Sequence, residues 1–218
     1  MTLINKNDIL NNFHDYSSDI KTREIFLHNY YDHDGNQGVE YRMANVFLKN
    51  LRALELSSNK PILIHLNSLG GEWNDCMAIY DALYFSQSNT IMVSYGQTES
   101  CSTIILQAAT TRILMPSAYF MVHYGYSGIS SSFLNAQNWN KYEKYLCDYM
   151  MEIYADRCIN GKFFKEKNYT IDQVKKYFYK KFKDGDWYMT SDEAVYYGFA
   201  DGILGTKKYP NINSLTIE

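Results

Sequence analysis

The sequence predicts an α/β fold with a largely parallel sheet, and three observations carry that prediction. Short apolar runs rich in Ile, Leu and Val alternate with longer stretches whose apolar residues recur every three or four positions. Glycine-bearing turns close several of the short runs. The intervening stretches are long enough to be crossover helices, which makes the strands they join parallel.

Taken in order, residues 1–20 are polar with isolated Ile and Leu and read as a flexible N-terminal arm. Arg23–His28 reads as the first strand. Tyr30 to Gly38 is turn-rich and hands over to a helix from about Val39 to Leu54, with Met43, Val46, Phe47, Leu51 and Leu54 at helical spacing. Pro61–Leu66 is a compact apolar strand that leads through Asn67–Gly71 into a helix carrying Met77, Ile79, Tyr80 and Leu83. Ile91–Tyr95 is a strand ending at Gly96, followed by a helix with Ile104, Ile105, Ala108 and Ala109. Two short strands, Arg112–Met115 and Tyr119–His123, are split by Pro116 and Ser117 and complete a βαβ head over 21–125.

Beyond Gly125 the pattern changes. A long helix from about Phe133 to Cys158, within 126–160, sets Trp139, Leu146, Tyr149, Met150 and Ile153 on one stripe. That stripe suits either packing against another subunit or burial in the core. Residues 161–185 begin as a charged link, and Thr170 with Gln173 forms a capping-box start for a further helix. The basic cluster Lys175, Lys176, Lys180, Lys181 and Lys183 reads as that helix's solvated side. Residues 186–218 return to the head. Thr190 and Glu193 repeat the capping signature, and Gly198 supplies a helix stop.

Composition narrows the function. A net charge of -3 provides no electrostatic footprint for nucleic acid or an anionic membrane. Four cysteines without CxxC spacing read as reduced thiols, and residues 1–19 lack the apolar run of a secretory signal. A cytoplasmic protein is therefore expected, with no cofactor or metal. Three prolines against 21 tyrosines, with abundant Lys, Asn and Ile, fit an AT-rich genome, viral ones included. In a virus the host cytoplasm would be the setting.

Ligands of open parallel sheets bind beyond the carboxyl ends of the strands, and three features fall there. Gly70-Gly71 is either a plain turn or a bare backbone whose N–H groups face a developing oxyanion. Ser100 is either an ordinary helix N-cap or a nucleophile beside the positive end of a helix, with Ser102 the competing hydroxyl. His123 is either structural or a base suited to a serine hydroxyl at neutral pH. Asp186, with Asp184 as a nearby alternative, is the acid that could orient it.

These residues resemble a known family in order. Asn67-Ser68-Leu69-Gly70-Gly71 with Ala78-Ile79-Tyr80-Asp81, then Gly96-Gln97-Thr98-Glu99-Ser100-Cys101, then Met121-Val122-His123, are similar to segments of the ClpP peptidases. So is Asp186-Trp187-Tyr188-Met189-Thr190 with Glu193-Ala194 and Tyr197-Gly198. The resemblance covers roughly residues 20–205. It implies the ClpP/crotonase-like spiral of βαβ units with a long protruding helix and an insertion at 161–185. It also implies a serine endopeptidase with Ser100 as nucleophile, His123 as base and Asp186 orienting it. The main-chain N–H groups of Gly71 and Cys101 would form the oxyanion hole, and extended substrate would lie near Gly70, Gly125 and Tyr126. Members form stacked seven-membered rings around a chamber, fed unfolded polypeptide by an ATP-driven unfoldase of the AAA+ class. This chain has no Gly-x-x-x-x-Gly-Lys-Ser/Thr loop, so such an ATPase would be a separate partner.

Three departures stand out. Leu69 replaces a proline, Thr98-Glu99 replaces small alanines, and the stretch from His123 to Asp186 is longer than expected. Crotonase-like acyl-CoA chemistry, a non-catalytic ring subunit and a viral maturation peptidase of narrow substrate range are the alternative functions.

Overall fold

The computed structural model describes residues 6–28, 38–126 and 128–215. Helix α1 (Lys6–Tyr16), strands β1 (Ser18–Asp19) and β2 (Glu24–His28), and helix α2 (Tyr41–Ser57) open the chain. Strand β3 (Ile62–Ser68), helix α3 (Trp73–Tyr84), strand β4 (Thr90–Glu99) and helix α4 (Cys101–Ala108) follow. Then come β5 (Thr111–Leu114), β6 (Tyr119–Val122) and the long α5 (Phe133–Cys158). Helices α6 (Lys162–Glu166) and α7 (Ile171–Phe182), strand β7 (Trp187–Thr190), helix α8 (Ser191–Tyr197) and strand β8 (Gly202–Ile203) complete it.

The sheet runs β1-β2-β3-β4-β5-β8, parallel except for the β1–β2 pair. Strand β4 serves two partners. Its first half pairs with β5, and Gln97–Glu99 pair in parallel with β6, which in turn pairs antiparallel with β7. The expected strand end at Gly96 is thus a kink. Gly96 takes φ +47°, the register against β3 slips there, and β4 resumes to Glu99. Carrying β4 past the kink delivers Ser100 to the rim of the sheet.

Helices α2, α3, α4 and α5 cover one face. The stripe Met43, Ala44, Phe47, Leu51 and Leu54 of α2, and Cys76, Ile79, Tyr80 and Leu83 of α3, are buried there. The helix expected from Phe133 to Cys158 has those bounds, and its second half is buried while its first half is exposed. Met150, Met151, Ile153, Tyr154 and Ala155 are buried, whereas Phe133, Leu134, Trp139, Tyr142 and Tyr145 project exposed. The 161–185 stretch joins the main core through Phe164, Val174, Phe178 and Phe182. Complete burial of a Phe side chain stabilises by about 1.5–3 kcal/mol, so α6 and α7 are built in firmly.

Both capping boxes form, at Thr170 with Gln173 and at Thr190 with Glu193, and Gly198 ends α8 at φ +87°. Residues 1–20, expected as an arm, include α1 and β1. Phe13 packs edge-on against Phe26 at 4.8 Å, and Asn12 donates to Asp19 at 2.7 Å. None of the residues of α1 is buried, so the sequence lacked a core-facing stripe to betray it. Apart from Gly38, the turn-rich stretch from Tyr30 lies outside the described residues. Among the described residues, no helix is long and apolar enough to cross a membrane.

Candidate active site

Ser100 sits between the end of β4 and the start of α4 at φ 51°, ψ -127°. A non-glycine residue there carries strain of about 1–3 kcal/mol and persists only where its surroundings over-determine it. Here they do. The Ser100 N–H donates to the Met121 carbonyl at 2.9 Å. Its own carbonyl accepts from the Thr103 N–H at 2.9 Å and the Thr103 hydroxyl at 2.5 Å. The buried Tyr154 hydroxyl, on α5, lies 2.6 Å from Thr103 Oγ1. The Ser100 side chain makes no capping bond to α4, so the plain N-cap role is unfilled.

That hydroxyl instead meets His123. Ser100 Oγ lies 2.8 Å from His123 Nε2, and His123 Nδ1 lies 3.1 Å from Asp186 Oδ1. The carboxylate fixes the tautomer: Nδ1–H donates to Asp186, leaving Nε2 to accept the serine proton. Sheet register makes the second contact. In the β6–β7 pair Met121 faces Tyr188 and Val122 faces Trp187, so the next step brings His123 to Asp186. Asp184 falls outside this ladder and lines a cleft with Lys176, Lys180 and Lys181. Ser102 is fully buried, and no partner for its hydroxyl is found among the described residues.

Gly70 and Gly71 are held against this turn. Gly70 has φ +92°, and a Cβ there would lie 2.7 Å from Ser100 Cβ and 2.8 Å from the Glu99 carbonyl oxygen. Gly71 forms a parallel bridge with Val39, through Val39 N–H to Gly70 O at 2.6 Å and Glu72 N–H to Val39 O at 2.8 Å. In such a bridge the N–H and C=O of Gly71 itself point away from Val39. The Gly71 carbonyl accepts from Cys101 Sγ at 3.2 Å. The Cys101 N–H, at the first position of α4, is one of the donors a helix leaves unpaired within itself. Gly125, at φ +83°, and Tyr126 follow His123, and the Tyr126 ring stands edge-on to the imidazole at 5.8 Å.

Glu99, one residue before the serine, is engaged elsewhere. Its carboxylate accepts from the Tyr119 hydroxyl at 2.6 Å, and that hydrogen bond pushes Tyr119 up to about 12. Thr98 is buried with its hydroxyl against Ser94. Thr103, Tyr154 and Tyr119 are the supporting residues that the sequence does not announce, since each acts across the fold. Among the described residues, no group of three or more His, Cys, Asp and Glu side chains could hold a metal ion.

A serine, an imidazole and a carboxylate bonded in series, on a βαβ spiral beside a glycine-lined backbone, have the geometry of a serine-peptidase site. The chain belongs to the Clp protease family, whose family model matches residues 11–207, and it is a serine-type endopeptidase of the ClpP kind. It is 26% identical over 213 residues to the ATP-dependent Clp protease proteolytic subunit of Carsonella ruddii, covering 94% of this chain and 96% of that one. A mutant ClpP1 from Listeria monocytogenes shares its fold at a TM-score of 0.68. That match has 21% identity over 87% of this chain and 95% of the other.

Proposed function

We propose that this chain hydrolyses peptide bonds of unfolded polypeptides by acyl-enzyme chemistry, with Ser100 as nucleophile, His123 as base and Asp186 orienting the base. The observation that carries the reading is the hydrogen-bonded series from Ser100 Oγ through His123 to Asp186, at 2.8 and 3.1 Å. Ser100 Oγ attacks the carbonyl carbon as His123 Nε2 takes its proton, and Asp186 stabilises the imidazolium. His123 then protonates the leaving amine, and water releases the acyl group by the same route. The Gly71 and Cys101 N–H groups hold the oxyanion, each donor contributing about 3–4 kcal/mol.

Substrate lies extended past Gly70 on one side and Gly125–Tyr126 on the other, bound through its main chain, which accounts for weak sequence preference. The projecting half of α5 carries a run of exposed and half-buried rings, Trp139, Tyr142, Tyr145 and Tyr149, spaced at 6.0–6.2 Å. A surface of that kind supports a ring-to-ring contact between stacked heptamers. The chamber receives chains from a separate AAA+ unfoldase in the cytoplasm, consistent with the ATP-dependent name of the Carsonella relative.

Labelling with a fluorophosphonate tests the chemistry. Wild type is expected to label, and Ser100→Ala and His123→Ala are expected to lose on the order of 10⁶-fold in hydrolysis rate. An assembled, folded particle that does not label would leave a structural ring subunit as the better reading.

A further inference from the structure

Two thiols sit directly behind the proposed oxyanion hole. Cys76, on α3, points its Sγ at the Cys101 carbonyl oxygen at 3.2 Å, and its thiol neighbours the Cys101 thiol. Cys101 Sγ in turn reaches the Gly71 carbonyl at 3.2 Å. In the reduced state, therefore, the Cys101 thiol ties together the two residues whose N–H groups would hold the oxyanion. Cys76 is fully buried, whereas Cys101 keeps 7% of its surface open. Cys147 and Cys158 lie on α5 and take no part in this cluster.

The geometry points to Cys76 and Cys101 as a peroxide-sensitive disulfide site that switches the peptidase off when it forms, an inference that rests on the oxyanion-hole reading of Gly71 and Cys101. Reactivity of the two sulfurs is unequal. The adjoining Cys76 thiol lowers the Cys101 thiol below its ordinary value, whereas burial holds Cys76 well above. Cys101 also lies at the first position of a helix, where a thiolate is favoured. The Cys101 thiolate attacks one oxygen of hydrogen peroxide and the O–O bond breaks. A sulfenic acid forms, and the released hydroxide takes up the thiol proton as water. The Cys76 sulfur then attacks the sulfenic sulfur. The S–S bond forms as the S–O bond breaks, and the departing hydroxide leaves as a second water with the Cys76 proton. Two thiols are oxidised, and one peroxide is reduced to two waters.

Closing the sulfurs to about 2.05 Å removes Cys101 Sγ from the Gly71 carbonyl and draws the start of α4 toward α3. The two oxyanion donors lose their mutual tie, next to a serine already held at φ 51°. Reduction reverses the change.

The full chain, reduced and then treated with hydrogen peroxide, is unfolded, alkylated and weighed intact, and its fluorophosphonate labelling is timed in parallel. Two fewer alkyl groups than in the untreated protein are expected, with the bridge mapped to the Cys76 and Cys101 peptides. Labelling is expected to slow about 100-fold and to recover with dithiothreitol. Cys76→Ala removes the resolving thiol and its influence on Cys101, and it should label at the same rate before and after peroxide. All four thiols remaining alkylatable, a bridge without slower labelling, or equal slowing in Cys76→Ala would each overturn the inference. If the reduced protein never labels, the catalytic reading fails while the thiol count still decides the disulfide.

Discussion

Ser100 and Asp186 stand at opposite ends of one hydrogen-bonded series, yet they are held in different ways. Ser100 is flanked by Thr98, Ser102 and Thr103, all fully buried, and its helix is rooted in a buried polar network. Gln107 donates to the Thr103 and Phe199 carbonyls, at 2.9 and 3.2 Å. Arg112 donates to Gln107 at 2.5 Å, to the Gly198 carbonyl at 2.9 Å and bidentately to Asp201. Asp186 follows Gly185, at φ +102° with open space around it, and the Asp186 side chain is 35% exposed. The difference has a physical cause. A residue in a strained conformation must be over-determined from several sides, whereas a carboxylate that meets one imidazole nitrogen needs only the right strand register.

The comparison can be broken from either end, and, short of removing the Ser100 hydroxyl or the imidazole, the largest effect is expected at the exposed one. Asp186→Asn leaves the β6–β7 pairing intact but inverts the tautomer preference of His123. It should lower the hydrolysis rate about 10⁴-fold in a peptide assay, while Asp184→Asn leaves the rate within about twofold, as expected for a surface change away from the site.

Next comes the root of the helix that Ser100 opens. Burial pulls the Asp201 carboxyl upward, but hydrogen bonds and charge from Arg112 outweigh it and hold the group below its ordinary value. A carboxyl depressed on folding contributes stability above its unfolded pKa, about 3.9, and that stability is lost as pH falls through the folded value. Asp201→Asn leaves the Arg112 charge without its counter-charge and should cost about 3 kcal/mol in urea unfolding at neutral pH. Its gap from wild type should narrow below about pH 4.

Gly70→Ala probes the contact between the glycine turn and the serine. Its Cβ would fall 2.7 Å from Ser100 Cβ and 3.0 Å from the Cys101 nitrogen. Displacing that nitrogen should cost about 10²-fold in labelling rate, the effect of losing one donor of the proposed oxyanion hole. The smallest effect belongs to Glu99→Ala. With its carboxylate bonded to Tyr119, Glu99 does not face the imidazole, and activity should stay within about tenfold. A larger loss with the fold intact would place that carboxylate in the chemistry.

How much of this could be read beforehand follows the range of each interaction. The long α5, both capping boxes and the Gly198 stop were legible because their signals act over three or four residues of the same helix. Ser100, His123 and Asp186 were legible by their order along the chain and their likeness to ClpP segments. The kink at Gly96 and the short β1 were not, because a single left-handed residue and a two-residue strand leave no period to detect.

By itself, then, the sequence determined the parallel α/β class, the helices with strong apolar stripes, and the residue types able to run acyl-transfer chemistry. Only the tertiary structure decided that Asp186 rather than Asp184 meets His123, because that choice is made by the β6–β7 register. It also decided that α7 joins the core through Phe178, that Gly70 packs on Ser100, and that Cys76 lies behind Cys101. Each is a contact between segments distant in the chain, and such contacts are set by packing and strand pairing rather than by local preference.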